Sequence, residues 1–198
     1  GLLIEETGQK PHRIGIGTPG IIDFTTHLIK NSNTKCIIGK PMKEDLQQLL
    51  GIEVRMANDA NCFAMAASHL GVVPDFVKNP EVVFGVIMGT GVGSGIVVNG
   101  KVINGKHGIG GEWGHNSLDE HGELCYCGQR GCVETFISGP ATENHYYNLS
   151  GNKLKLKEIY KLYQGHDPNA VATIDRMMHY FGRAIACVIN IVDPEVIV

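Results

Sequence analysis

The sequence contains no run of about 18 apolar residues, the length that a membrane-spanning helix requires. Its opening, GLLIEE, is too short an apolar stretch and too acidic for a secretory signal peptide. Basic residues are not in excess either: the formal net charge is -3, and Lys and Arg are scattered along the chain. A protein that follows a phosphate backbone carries a basic stripe, so we expect no nucleic acid partner. These absences predict a soluble protein of the cytoplasm with no membrane partner.

An initiating methionine is also absent. The last three residues, 196–198, are apolar and are typical of the start of a buried strand, after which the chain stops. We therefore expect the natural protein to extend beyond both ends of this chain. With 198 residues, of which 43% are hydrophobic, the chain is still long enough for one sizeable domain or two small lobes.

Strand-like and helix-like patterns alternate in the first 70 residues. Strands are predicted at 12–17 and 52–56, and helices at 43–50 and 60–69. Alternation of this kind is typical of an α/β fold. A break at 74–80 contains proline and asparagine and separates this part from the rest. We therefore expect a small N-terminal lobe over 1–78, of which this chain holds the remainder, and a larger lobe over 79–198.

The predicted larger lobe begins with three antiparallel strands. They are predicted at 82–88, 96–98 and 101–103. A glycine-rich loop at 89–95 joins the first two, and Asn99-Gly100 between apolar runs predicts a tight hairpin before the third. Near the end of the chain, apolar residues recur at helical spacing over 174–192 and predict a long amphipathic helix that stops before Pro194.

One histidine and three cysteines form the strongest chemical motif. His115 precedes a short loop that carries Cys125, Cys127 and Cys132. One imidazole and three thiolates are a preferred ligand set for a closed, tetrahedral structural zinc site. The alternatives are a disulfide or a group of unrelated thiols, and a cytoplasmic location argues against stable disulfides. We therefore predict structural Zn²⁺ at these four residues.

Two glutamates, Glu112 and Glu134, flank the predicted metal motif. A closed zinc site has no open position for water or substrate, so its expected role is to hold these two carboxylates in place. Carboxylate oxygens accept hydrogen bonds from several hydroxyl groups of a polyol such as a sugar. The alternative is that both glutamates are solvated surface charges, which is the usual environment of glutamate.

Glycine is abundant, with 26 residues, and the loop at 89–95 is the densest glycine segment. Successive backbone N–H groups in such a turn form an anion-binding nest, and Thr90 adds a hydroxyl donor, so a phosphate ligand is one interpretation. A simple tight turn between strands is the other. The loop is neither a Walker motif nor a dinucleotide fingerprint, because the Gly-Lys-Ser/Thr ending and the following helix are missing.

Asp59 stands where a predicted strand ends and a predicted helix begins. Aspartate in this position is commonly an N-cap, although Asn58 can serve that role equally well. If Asp59 instead faces a substrate cleft, its carboxylate can accept the proton of a substrate hydroxyl as the oxygen attacks the γ-phosphorus of ATP. Both interpretations remain open at this point.

Four motifs occur together over nearly the whole chain. They are Asn58-Asp59-Ala60-Asn61-Cys62, the glycine loop at 89–95, Glu112-x-Gly-His115, and Cys125-x-Cys-Gly-x-x-Gly-Cys132-x-Glu134. This combination resembles the ROK family of sugar kinases and repressors. Within the family, the segments at 39–41, 99–106 and 191–194 are most similar to N-acetylglucosamine kinases, although glucokinases share most of these motifs.

The resemblance implies a two-lobed, actin-like (ribonuclease-H-like) α/β fold, with a hexose in the cleft and ATP against the second lobe. It implies ATP-dependent phosphorylation of a hexose at its 6-hydroxyl, with N-acetylglucosamine or glucose as the substrate. ATP and Mg²⁺ would take part, Zn²⁺ would be structural, and the protein would form a homodimer.

The resemblance also implies a role for each matching residue. Asp59 would be the catalytic base, and the sugar would be held by Gly20, Asn33, Asn58, Asp59, Glu112, His115 and Glu134. The ATP phosphates would lie against Thr90, Gly91, Gly93 and Gly95. The zinc ligands would be His115, Cys125, Cys127 and Cys132, with His115 serving both sites through its two ring nitrogens.

The chain departs from the family pattern in three places. The first strand with its Asp-x-Gly-Gly-Thr phosphate loop is missing, and so is the glycine-rich segment that normally follows the last strand. Ser94 replaces a glycine that is common in the phosphate loop, and this is tolerated only if the backbone conformation there does not require glycine.

Two other function classes remain open. The first is a sugar-responsive repressor of the same family, in which an added helix-turn-helix segment reads DNA. The second is a zinc-stabilised interaction module that binds neither sugar nor ATP. An intact Asp59 and an intact glycine loop favour the kinase.

Overall fold

The computed structural model describes residues 2–23, 25–32 and 34–198. The helices are α1 (Leu2–Thr7), α2 (Met42–Leu50), α3 (Asp59–His69), α4 (Val73–Phe76), α5 (Val133–Ile137), α6 (Gly139–Ser150), α7 (Leu156–Gln164) and α8 (Pro168–Val192). Short 3-10 helices lie at Lys35–Ile37 and Trp113–His115. The strands are β1 (Arg13–Thr18), β2 (Ile21–Ile22), β3 (Ile29–Lys30), β4 (Glu53–Asn58), β5 (Val82–Met88), β6 (Val92–Val98), β7 (Lys101–Val102) and β8 (Val196–Ile197). Within these ranges, none of the helices is both long and apolar enough to cross a membrane.

The parallel pair β1–β4 places the first part of the site. The two strands pair in register from Arg13 opposite Glu53 to Thr18 opposite Asn58. Their carboxyl ends therefore meet beside the start of α3, the kind of position at which α/β proteins bind ligands. The short antiparallel hairpin β2–β3 follows β1 directly and lies near this edge.

The second sheet has the strand order β7-β6-β5-β8. β5 and β6 are antiparallel over seven residue pairs, and β8 pairs with β5 in parallel. The turn between β6 and β7 has positive φ at both central residues, 48° at Asn99 and 72° at Gly100, as expected for the Asn-Gly hairpin. The three predicted antiparallel strands are therefore present.

The glycine loop is shorter than the sequence pattern indicates. β6 begins at Val92, so only residues 89–91 connect the two strands, and Gly93 and Gly95 lie inside β6. A physical reason is the close approach of α3. A Cβ on Gly95 would lie 2.8 Å from the Cβ of Ala64, and one on the paired Gly85 would lie 2.7 Å from the same atom. These glycines therefore allow the helix to pack tightly against the hairpin.

Helix α3 joins the two sheets. It contacts β1 and β4 on one side and packs against β5 and β6 on the other. Its Ala64 and Ala67 share one buried cluster with Val83 and Val97 of the hairpin. The lobe boundary between residues 78 and 79 therefore stays a prediction, because this helix precedes it but packs against strands that follow it.

The predicted long helix is present as α8 and covers the other face of the second sheet. Its Ala184 and Val188 are buried with Phe84, Trp113 and other apolar residues, and the Trp113 ring meets Phe84 edge-on at 5.7 Å. α8 ends at Val192, and the following residue, Asp193, caps it in a left-handed conformation directly before Pro194. This packing anchors the Trp113–His115 turn, which carries part of the site.

Candidate functional site

One cleft brings together most of the site residues predicted from the sequence. It is lined by Gly20, Asn58, Asp59, Thr90, Gly91, Gly93, Glu112, His115 and Glu134, together with Pro19, Asn31, Ser94 and Tyr126 among others. Gly95 does not line it, and Asn33 lies outside the described residues. The contributing segments are far apart in sequence, so the cleft is a product of the tertiary fold.

Asn58 provides the cap of α3. Its side-chain oxygen accepts a hydrogen bond from the Asn61 N–H at 3.1 Å, and its amide nitrogen donates to the Gly20 carbonyl at 3.3 Å. Asp59 is exposed, and one of its oxygens accepts from the neighbouring Ala60 N–H at 2.9 Å. The capping role thus falls to Asn58, which leaves a carboxylate oxygen of Asp59 available on the wall of the cleft.

Gly20 closes the cleft on the side of the β2–β3 hairpin. Its φ is +92°, and a Cβ there would lie 2.8 Å from the Lys30 carbonyl oxygen. Only glycine fits this combination of backbone angle and close approach. The Gly20 carbonyl can therefore reach the Asn58 amide, which links the hairpin to the start of α3.

Glu134 connects the glycine turn to the cysteine segment. Its Oε2 accepts a hydrogen bond from the Val92 N–H at 2.9 Å, and a Cβ on Gly91 would lie only 2.5 Å from the same oxygen. This explains why Gly91 is a glycine: any larger side chain would displace the carboxylate. The second oxygen of Glu134 remains available to a ligand.

Glu112 is tied to the same strand through Ser94. The buried Ser94 hydroxyl donates to the Gly111 carbonyl at 2.5 Å, directly before Glu112 in the chain. Ser94 lies in β6 with an ordinary strand backbone and is absent from the non-glycine residues of positive φ. The serine that departs from the family pattern is therefore accommodated, and it adds a tie that glycine cannot make.

The electrostatics of the cleft are dominated by carboxylates. Burial raises the pKa of Glu112, the positive charge of His115 opposes this rise, and the nearby carboxylates of Asp59 and Glu134 add to it. Three carboxyl groups around one cleft present many acceptors and few donors. Such a site suits a neutral ligand that offers several hydroxyl donors.

The predicted zinc ligands converge on one point. The Cys125 sulfur lies 3.6 Å from His115 Nδ1, the sulfurs of Cys127 and Cys132 are 3.6 Å apart, and all four ligand atoms lie within 4.8 Å of one another. Metal–ligand bonds of about 2.0–2.3 Å in a tetrahedron separate the ligand atoms by roughly 3.5–3.8 Å. The geometry and the donor set therefore fit zinc, and a sulfur separation of 3.6 Å is too long for a disulfide.

Tyr126 is a cleft residue that the sequence analysis missed. Its hydroxyl lies 3.0 Å from His115 Nε2, and the two rings meet edge-on at 5.1 Å. Burial, together with the carboxylate of Glu134 and other nearby anions, raises the pKa of Tyr126 to about 12. The sequence signal for Tyr126 is its position between Cys125 and Cys127, the two residues predicted to bind zinc. The Tyr126 hydroxyl therefore lies beside His115 Nε2, the ring nitrogen that would face a sugar if Nδ1 binds zinc.

The structure thus combines two β-sheets joined by α3 with a carboxylate-lined cleft beside a Cys₃His cluster. The family model described as the ROK family matches residues 1–198, and the chain belongs to this family. The resemblance stated from the motifs is thereby confirmed.

Known relatives agree with this assignment. The chain is 35% identical over 195 residues to an N-acetyl-D-glucosamine kinase from Yersinia pseudotuberculosis, an alignment that covers 93% of this chain and 63% of the relative. The chain thus spans less than two thirds of the length of this relative. Among solved structures, a ROK hexokinase from Thermus thermophilus superposes with a TM-score of 0.83 at 32% identity, covering 98% of this chain and 63% of that one. This likeness confirms the actin-like sugar kinase fold.

The family also includes regulators. A ROK family transcriptional regulator, described as a homologue of the E. coli MLC protein, has a TM-score of 0.79 at 27% identity, covering 99% of this chain and 52% of that one. Family membership alone therefore does not separate kinase from regulator, and the choice depends on the residues of the cleft.

Proposed function

We propose that the protein phosphorylates the 6-hydroxyl of a hexose, N-acetylglucosamine or glucose, with ATP as the phosphoryl donor. The observation that carries the proposal is the position of Asp59. Asn58 caps α3, so Asp59 is an exposed carboxylate in the same cleft as the glycine turn and both glutamates. The names of the kinase relatives support the same function.

In the proposed reaction, Asp59 is the general base. The oxygen of the 6-hydroxyl forms a bond to the γ-phosphorus, the bond from that phosphorus to the β-phosphate oxygen breaks, and ADP leaves. The hydroxyl proton passes to a carboxylate oxygen of Asp59. Phosphoryl transfer depends mainly on positioning and charge stabilisation. The main chemical group required beside the 6-hydroxyl is therefore a base within hydrogen-bond reach, and Asp59 is proposed to supply it.

The remaining sugar hydroxyls are proposed to bind the polar groups on the cleft wall. Glu112, Glu134 and His115 lie where β6 and the cysteine segment meet, and Asn58 lies beside Asp59. The backbone at Gly20 is proposed to touch the sugar as well. Asn33, which lies outside the described residues, is proposed as a further contact to the sugar.

The ATP phosphates are proposed to lie against the turn formed by Thr90 and Gly91, with Gly93 beside it in β6. A phosphate contact at Gly95 is proposed on the family resemblance alone, and the close approach of α3 offers a second reason for glycine there. Mg²⁺ would accompany ATP, since divalent metal ions neutralise the charge that develops on transferred phosphoryl groups.

Structural Zn²⁺ is proposed at His115, Cys125, Cys127 and Cys132, which fit it by geometry and donor type. The proposal includes a cytoplasmic location and a homodimer, which rest on the composition and on the family resemblance respectively.

The test uses the protein at its full natural length, loaded with zinc, ATP and Mg²⁺, and a panel of hexoses. We expect ADP release that depends on the hexose and requires an unmodified 6-hydroxyl. Binding of a hexose without ADP release would instead favour the regulator. A folded, zinc-loaded protein that binds neither hexose nor ATP would leave only an interaction module.

A further inference from the structure

Tyr126 is a cleft residue to which the proposed function gives no role. It lines the cleft together with Asp59, Glu112 and Glu134, and it is 60% exposed. Its ring stands edge-on to the His115 ring, and its hydroxyl oxygen lies 3.0 Å from His115 Nε2. Apart from this imidazole nitrogen, none of the residues that the structure describes makes a hydrogen bond to the hydroxyl. The Tyr126 hydroxyl therefore has capacity for a further partner.

The direction of the hydrogen bond between His115 and Tyr126 follows from the arrangement of the cysteines. His115 Nδ1 faces them and lies 3.6 Å from Cys125 Sγ, so Nδ1 is the nitrogen available to the proposed metal ion. A neutral imidazole that uses one ring nitrogen as a ligand carries its proton on the other, so Nε2 is a donor. The Tyr126 oxygen then accepts this hydrogen bond. The phenolic O–H is left free to donate to a ligand in the cleft.

A bound sugar requires such a donor. A sugar hydroxyl that donates to the carboxylate of Glu112 or Glu134 still has lone pairs on its oxygen that need a donor. Two donors in the cleft are already engaged, since the Asn58 amide and the Ser94 hydroxyl each donate to a backbone carbonyl. The Tyr126 O–H is not engaged in this way, and the N–H that its oxygen accepts polarises it and makes it a stronger donor.

We propose that Tyr126 donates a hydrogen bond to the bound hexose and that His115 acts on the sugar through this hydroxyl. The inference rests on the proposed function and replaces its direct contact from His115. The acceptor is the oxygen of a ring hydroxyl whose own proton goes to Glu112 or Glu134. The residue between the first two cysteines therefore contributes to hexose affinity without being a member of the Cys₃His cluster.

The test is Tyr126→Phe in the zinc-loaded protein at its full natural length, because this change removes the hydroxyl and keeps the ring. We expect the calorimetric Kd, measured with glucose and with N-acetylglucosamine, to rise about tenfold, the scale of losing one hydrogen bond to a ligand. The kcat should stay unchanged while KM rises, since the hydroxyl does not touch the transferred phosphoryl group. Tyr160→Phe is the matched control, because Tyr160 is 51% exposed and lies outside the cleft.

Deoxy analogues of the hexose identify the acceptor oxygen. If the tyrosine hydroxyl and one sugar hydroxyl form a pair, the losses from removing each of them are not additive. We expect one deoxy analogue that binds the parent protein and Tyr126→Phe with equal Kd, whereas the other analogues keep the tenfold difference. Elemental analysis of the same samples should give one zinc ion per chain in both proteins.

The outcomes that overturn the assignment are specific. An unchanged Kd in Tyr126→Phe does so, and so does an effect that no deoxy analogue removes. Tighter hexose binding in the variant would mean that the tyrosine competes with the sugar for His115. If the affinity of a zinc-depleted variant returns to the parent value when zinc is restored, the hydroxyl acts only on the metal site.

Failure of the proposed function is distinguishable from failure of this assignment. A parent protein that binds no hexose contradicts the proposed function, whereas hexose-dependent ADP release with an unaffected Tyr126→Phe leaves the kinase intact. Should Tyr126→Phe not fold, Tyr126→Ser tests the same contact, because its hydroxyl is too short to reach the sugar. This second variant should raise the Kd by at least the same factor, and an unchanged Kd there also overturns the assignment.

Discussion

At the scale of single residues, two adjacent polar side chains have different roles at the start of α3, one as the helix cap and the other on the cleft wall. Asn58 and Asp59 are both good N-caps by type. Only the geometry shows that the Asn58 oxygen meets the Asn61 N–H, while Asp59 stays on the cleft wall. Asn58 takes the capping role because, as the last residue of β4, it has the extended backbone that an N-cap requires.

The residue-scale prediction concerns Asp59→Asn. An amide cannot accept the hydroxyl proton as a carboxylate does, so turnover should fall by about 10²-fold or more while hexose binding stays roughly unchanged. Steady-state ADP release and calorimetric hexose binding measure the two effects separately. Asp45→Asn is the control, because Asp45 is also an exposed acid in the first turn of a helix but lies away from the cleft. Unchanged turnover in Asp59→Asn would remove this residue from catalysis.

At the scale of secondary-structure elements, α3 and the β5–β6 hairpin meet along a seam of small residues. Gly85 and Gly95 are directly paired across the hairpin, and both face Ala64. Because the start of α3 carries Asp59 and the hairpin carries the glycine turn, this seam sets the distance between the proposed base and the proposed phosphate site.

The element-scale prediction is that Gly95→Ala destabilises the protein. The added Cβ would lie 2.8 Å from the Ala64 Cβ and 3.0 Å from the Ala60 carbonyl oxygen, so the helix must move. Overpacking of this kind costs about 1–3 kcal/mol of unfolding free energy. Denaturant titration measures the change.

The control for the seam is Gly182→Ala, in the middle of α8. A Cβ there meets no atom within 4 Å, so the substitution should raise stability by about 0.5–1 kcal/mol through helix propensity and reduced freedom of the unfolded chain. If both alanines have the same effect, the seam is not tightly packed.

At the scale of the whole molecule, the Cys₃His cluster joins two segments that backbone hydrogen bonds also connect, from the Leu118 N–H to the Gly131 carbonyl and from the Val133 N–H to the Asn116 carbonyl. His115 is the last residue of the turn anchored by Trp113, whereas Cys132 directly precedes α5. Glu112 lies on one side of this link and Glu134 on the other. The proposed ion would therefore hold both carboxylates at a fixed distance from β6.

The corresponding prediction is that the parent protein contains one zinc ion per chain and that Cys127→Ser lowers this content. Without the ion, the region 112–134 should lose its order, and hexose affinity should fall as a consequence. Elemental analysis and hexose binding measure the two effects. Cys187→Ser, which changes an exposed cysteine of α8 outside the cluster, should retain both. A folded parent protein without zinc would contradict the proposed site.

Some features of this protein are determined by the sequence alone because they depend on neighbours in the chain. The Asn99-Gly100 hairpin needs only two residues that adopt positive φ, and the amphipathic pattern of α8 is local as well. The Cys₃His cluster was also predictable, since three of its four residues lie within eight residues and this donor set is typical of a structural metal site.

Other features were decided only by the tertiary structure, because they depend on contacts between distant segments. The glycines at 93 and 95 have the same local pattern as a phosphate loop, yet the approach of α3 and the pairing with β5 place them inside a strand. Likewise, Glu134 reaches the Val92 N–H across 42 residues of sequence, and Tyr126 reaches His115 only because the cysteine loop folds back. Local patterns define which chemical groups are present, whereas packing between elements determines which of them face one another.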